Sequence, residues 1–210
     1  MSKSKDITLL AVFTGIILLL AFTPLGFIPL GIIKATIIHI PVIIGSILLG
    51  PKRGAILGVV FGATSLISNT ISPALLSFVF SPFIPIPGLT HGSLLALLIC
   101  FLPRLLVGIL PFYFYRFFAR LFKSRKPSVS YLLAGIAGSL INTVLVMAGI
   151  YFFFGNAYAE VQNIPIKEVY GAIISIIAIN GVPEAIVAGL ITMVVLKIVN
   201  NSNRFKQLFR

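Results

Sequence analysis

A chain of 210 residues that is 59% hydrophobic and 10% charged, with a mean hydropathy of +1.13, has more apolar surface than one soluble core can hide, so lipid is its solvent. A net charge of +12 would suit a nucleic-acid binder, but in a membrane chain the position of the charges outweighs their sum, and no nucleic-acid partner is expected. The single cysteine, Cys100, excludes an internal disulfide and a cysteine-based metal site.

A helix crosses a bilayer in about 20 apolar residues. The opening, MSKSKDITLLAVFTGIILLLAF, is basic and then apolar without a small-residue cleavage pattern, so it reads as a first span over 6–23 rather than a leader. Within it Ala11 and Gly15 are four apart, a small-residue pair that lets another helix approach closely, whether a partner's or one of this chain. A second span is predicted over 33–50, carrying His39 just before Pro41, and a third over 54–70, closing on Asn69 and Thr70.

Residues 70–90 are too rich in proline for a helix and too apolar for a solvated loop. Irregular backbone at membrane depth requires protein or a water-filled cavity around it, so this segment reads as a lid over an outward-facing cavity, the alternative being a proline-rich loop lying on the surface. Residues 91–101, which begin with His91, read as an outer-leaflet or re-entrant piece or as an extension of the fourth helix. Spans follow over 103–122, opened by Arg104; 131–154, with Asn142 midway; and 169–198, with Asn180 and Glu184 near the middle. The expected architecture is an all-α membrane protein, one integral domain over 1–210, with six transmembrane helices and a long apolar extracellular loop between the third and fourth.

These spans place Lys3, Lys5, Lys52, Arg53, Arg116, Arg120, Lys123, Arg125, Lys126, Lys197, Arg204, Lys206 and Arg210 on one side. Lys34, Arg104 and Lys167 fall toward the other, so the basic excess predicts that both termini are cytoplasmic. A seventh span over 91–101 would put the KSRK cluster outside.

Ionisable and amide groups at membrane depth are costly and usually line an interior. Asn180 and Glu184 share a helix face, with Pro183 between them loosening the hydrogen-bond ladder. Arg104 either snorkels to headgroups or presents a planar fork to a carboxylate. His39 and the asparagines either meet a ligand or brace neighbouring helices, and Glu184 either accepts from ligand hydroxyls, neutralises Arg104 or Lys34 in the empty site, or forms a purely structural ion pair. No catalytic residue or metal site is predicted: the chain has no GxxxxGK[ST] phosphate loop, no HExxH pair and no paired nucleophile and base.

The phrases IIHIPVIIGSILLGPKRGAILGVVFG at 37–62, FLPRLLVG at 101–108 and INGVPEAIVA at 179–188, with the span pattern, resemble the substrate-binding S components of energy-coupling factor (ECF) vitamin transporters. LGFIPLGIIKATIIHIPVIIG looks most like the pantothenate members. The resemblance implies capture of a vitamin from outside and its delivery by toppling of the whole subunit. It also implies docking on a transmembrane coupling subunit through the face bearing Ala11 and Gly15. The chain itself would hold no cofactor; two cytoplasmic partner ATPases would use ATP and magnesium. For pantothenate, Arg104 would take the carboxylate and Asn69, Asn142, Asn180 and Glu184 the polar groups, with His39 and His91 as further substrate-binding candidates. Phe78, Phe80 and Phe83 would wall the apolar part. Riboflavin or another vitamin remains an alternative ligand, and a small membrane enzyme acting on lipid intermediates or an assembly protein an alternative class.

Overall fold

The computed structural model describes residues 3–30, 33–123 and 127–202, with the backbone alone at 3, 4, 25, 27–30 and 33–36. Arg125, Lys126, Arg204, Lys206 and Arg210, used above for orientation, lie outside the described residues.

Helix α1 spans Lys3–Phe22. A short antiparallel hairpin follows, β1 (Phe27–Leu30) pairing with β2 (Ile33–Thr36), and then α2 (His39–Leu49), α3 (Pro51–Ile71), α4 (Leu95–Leu121) and α5 (Pro127–Gln162). The last helical stretch is α6 (Val169–Ile176), a π-helical turn Ile177–Gly181 and α7 (Val182–Asn201). Five helical stretches are long and apolar enough to cross a membrane, and α2 is an additional short apolar helix. The protein is therefore predominantly helical, with five to six apolar helices.

The second predicted span is corrected. Residues 33–36 pair in the hairpin, and the helix begins at His39 rather than 33. Pro41 has no N–H to donate to Ile37, and its ring crowds that carbonyl, so a helix cannot run through 37–41 undisturbed; proline is tolerated in the first turn, where amides need no helical partner. At 11 residues α2 is only about 16 Å long, half a hydrocarbon core. It is enclosed by protein instead: ten of its residues are buried, and it packs against α1, α3, α4, α5 and α7. Gly50, at φ +88°, makes the turn from α2 into α3, a conformation that disfavours any side chain.

Residues 95–101 belong to α4, so the extension of the fourth helix is the observed alternative. Helices α3 and α4 cross with backbones almost touching. A Cβ on Gly54 would lie 1.9 Å from the Gly108 carbonyl oxygen, and one on Gly58 would lie 2.4 Å from that of Arg104. At the N-terminal end of α1 the buried Asp6 pairs with Arg53 near the start of α3, and Arg53 also donates to the Leu49 carbonyl at 3.1 Å.

Two apolar cores result. One surrounds α2 and includes Ile17, Ile43, Leu57, Phe61, Val107 and Leu196. The other joins Phe78 and Val79 of the α3–α4 loop to Ile99, Ile150, Phe154 and Ile173. Large apolar side chains such as Val59, Leu98, Phe117, Phe152, Leu190 and Val194 point outward, as expected of a surface solvated by lipid.

Candidate ligand-binding site

Between the two cores, toward the end of the bundle where α1 and α3 terminate, lies a cavity of about 340 Å³. Three helical stretches contribute a stripe at helical spacing: Phe61, Thr64, Ser65, Ser68 and Asn69 from α3; Asn142, Thr143, Val146 and Met147 from α5; Ile176, Asn180 and Glu184 from the last stretch. Ala21, Ile38, Phe80 and Arg104 complete the wall.

Arg104 organises this space. The side chain is buried, and its described partners are a carbonyl, a hydroxyl and two rings, none of them an anion. Nη1 donates to the Ile99 carbonyl at 3.1 Å and Nη2 reaches the Ser65 hydroxyl at 3.4 Å. The guanidinium carbon lies 5.4 Å from the centre of the Phe61 ring and 5.0 Å from that of Phe80, both within cation–π range. Nε is buried and has no hydrogen-bond partner among the described residues; the same is true of Asn142 Oδ1. A buried polar atom without a partner costs roughly 1–3 kcal/mol, so both atoms favour a ligand that can pair with them.

The loop that delivers Phe80 is latched to the last turn of α3. Ser77 Oγ donates to Asn69 Oδ1 at 2.7 Å and accepts the Ala74 N–H at 2.8 Å, while Asn69 Nδ2 donates to the Ser65 carbonyl at 2.8 Å. Thr70 Oγ1 donates to the Leu66 carbonyl at 2.7 Å, which leaves Ser81 Oγ to donate to Thr70 over 2.7 Å. Phe80 sits between these two fastened serines.

The last stretch is irregular where it meets the cavity. The π-helical turn ends at Gly181, where a Cβ would come within 2.8 Å of Thr143 on α5. Such bulges are frequent at functional sites, and here Pro183 removes a backbone donor just beyond it.

The structure thus gathers Asn69, Phe80, Arg104, Asn142, Asn180 and Glu184 around one space and places the other four predicted residues elsewhere. His39, the first residue of α2, is buried but is not part of the cavity wall. Phe78 lies in the second core, its ring edge-on to Phe154 with centroids 5.9 Å apart. Phe83 is 72% exposed, and His91 is exposed with Nδ1 3.1 Å from the Gly92 carbonyl oxygen. Of the proline-rich segment, Phe80 alone reaches the wall. Sequence reasoning missed Thr64, Ser65, Ser68 and Thr143. Part of the signal was present, since one helical turn back from Asn69 is Ser65 and the next is Phe61.

Comparison with known proteins gives three findings. The family described as "ECF transporter, substrate-specific component" matches residues 5–196. The pantothenic acid transporter PanT of Lactococcus lactis subsp. cremoris (strain MG1363) is 39% identical over 193 residues, 91% of each chain. The crystal structure of the S component for biotin from an ECF-type ABC transporter aligns over 100% of both chains, with a TM-score of 0.49 and 20% identity. A family match over nearly the whole sequence, together with a relative of this similarity and coverage, makes the chain a multi-pass bacterial membrane protein and a transporter subunit rather than an enzyme: it belongs to the substrate-binding S components of ECF transporters.

Proposed function

We propose that this S component captures pantothenate from the cell exterior in the cavity around Arg104. The observation that carries the reading is a buried guanidinium that lines a cavity and keeps an unpartnered Nε–H. Pantothenate is a small carboxylate with two hydroxyls and an amide, and the similarity to a pantothenic acid transporter favours it over other anions. Its carboxylate suits Arg104, because arginine holds carboxylates bidentately. The ligand's hydroxyl or amide hydrogens suit Asn142 Oδ1, with Asn180 and Glu184 as further polar partners, while Ile38, Phe61, Phe80 and Met147 cover the apolar part. The cavity is near the small end of the roughly 300–1,000 Å³ usual for ligand sites. Riboflavin would require more room and a broad stacking surface.

Titrating the purified protein with tritium-labelled pantothenate tests this reading. Saturable binding displaced by unlabelled pantothenate but not by riboflavin is expected. Tight riboflavin binding without pantothenate binding would reject the substrate assignment.

Delivery, in this proposal, follows from docking on a transmembrane coupling subunit and toppling in the membrane. Two partner ATPases supply the energy by consuming ATP with magnesium, and both termini are cytoplasmic. Ala11 and Gly15 support a docking face on α1: both are exposed, and a Cβ on Gly15 would meet nothing within 4 Å. Small residues with no close neighbour in their own chain leave room for another helix backbone. Gly15→Leu is expected to retain pantothenate affinity within about threefold while uptake by cells carrying the whole transporter falls at least tenfold, a difference of about 1.4 kcal/mol or more. Undiminished uptake would remove α1 from the docking interface.

A further inference from the structure

Pro103 precedes Arg104 inside α4, and both are buried. Proline has no N–H, so the helical partner that the Ile99 carbonyl would receive from residue 103 is missing. Arg104 takes that place: its Nη1 donates to the Ile99 carbonyl at 3.1 Å. The side chain therefore turns back along its own helix instead of extending away from it. The guanidinium also lies over the Phe61 and Phe80 rings, which narrows the directions from which a ligand can approach it. One Nη1 donor is taken by Ile99, whereas Nε has no partner among the described residues and Nη2 has only the long contact to Ser65, so the edge formed by Nε and Nη2 is the least committed one for an anion.

From this geometry we infer that Pro103 is a positioning residue for anion recognition. By leaving the Ile99 carbonyl to Arg104, it fixes the edge of the guanidinium that meets the ligand's carboxylate. This inference rests on the pantothenate reading for its ligand, but the orientation of Arg104 can be tested without any ligand.

The first arm compares pantothenate with the corresponding alcohol, in which a hydroxymethyl group replaces the carboxylate. Pro103→Ala restores an N–H for Ile99 and frees Arg104. Affinity for pantothenate is expected to fall about tenfold and affinity for the alcohol less than threefold. In an Arg104→Ala background, Pro103→Ala should cause no further loss for pantothenate, because coupled residues are not additive. Equal losses for acid and alcohol, an undiminished acid affinity, or the same loss without Arg104 would overturn the inference. Failure of the unaltered protein to bind pantothenate would instead reject the ligand assignment.

The second arm uses the lone cysteine. Because Cys100 is unique and follows Ile99, ¹⁵N-cysteine with ¹³C-carbonyl isoleucine isolates the Ile99 carbonyl in one NMR signal. Arg104→Ala should move that carbon upfield in the otherwise unaltered protein, through loss of its hydrogen bond, and leave it in place in Pro103→Ala. A carbonyl signal that does not respond to Arg104→Ala would overturn the inference, even if Pro103→Ala fails to fold.

Discussion

Replacing Arg104 with alanine is expected to weaken pantothenate binding by at least 100-fold, measured by calorimetric titration of the purified protein. The guanidinium is buried and lies over the Phe61 and Phe80 rings, which limits the water that can compete for its donors. Truncating one partner of a buried, hydrogen-bonded charge pair costs about 2–5 kcal/mol, and about 3 kcal/mol corresponds to roughly 100-fold. Part of that loss is the penalty of leaving the ligand's carboxylate in the cavity without a counter-charge. Arg104→Lys separates charge from shape. Lysine keeps the charge but offers a point instead of a fork, so an intermediate loss of about tenfold is expected. An Arg104→Ala protein that binds pantothenate within threefold of the unaltered chain would show that the carboxylate is held elsewhere.

The largest expected effect on stability is at Gly54. Its Cβ position is 1.9 Å from the Gly108 carbonyl oxygen and 3.0 Å from Ser46 Cα, so both neighbours are backbone and cannot rotate away. In an exposed helix, replacing glycine would gain up to about 1 kcal/mol from propensity. Here the clash forces α3 and α4 apart along their shared surface, and overpacking of this kind costs about 3 kcal/mol or more. Gly54→Val is therefore expected to lower the thermal unfolding midpoint by roughly 6–12 °C. Binding should weaken as well, because Gly58 sits against the backbone carbonyl of Arg104 on the same crossing. Gly15→Val is the matched control. With nothing within 4 Å of the added group, its midpoint should not fall. Equal behaviour of the two variants would refute the close crossing.

Much of the site was legible because its signals are local. Asn180 and Glu184 share a face by helical period alone, and Arg104 stood out as a cation at the start of a span. Asn69, at the end of α3, was predicted for its amide in an apolar segment, yet its side-chain carbonyl also holds the loop through Ser77, while its amino group donates back to Ser65 of its own helix. A serine inside a span gave no comparable warning, since a hydroxyl can return its proton to its own helix, as Thr64 does to the Phe61 carbonyl. Ser65 became part of the site when Arg104, 39 residues away in sequence, came within reach of it.

Hydropathy and the positions of proline and charge determined by themselves that this chain lives in lipid and where most of its helices run. These follow from the solvent each short segment requires. Only the tertiary structure decided that α2 stops short inside the bundle, that His39 leaves the cavity wall and that Phe80, rather than Phe78 or Phe83, covers the arginine. Those outcomes depend on how closely glycine lets α3 and α4 approach and on which serines fasten the loop to α3, and such distances between remote segments are set by packing rather than by the period of any one helix.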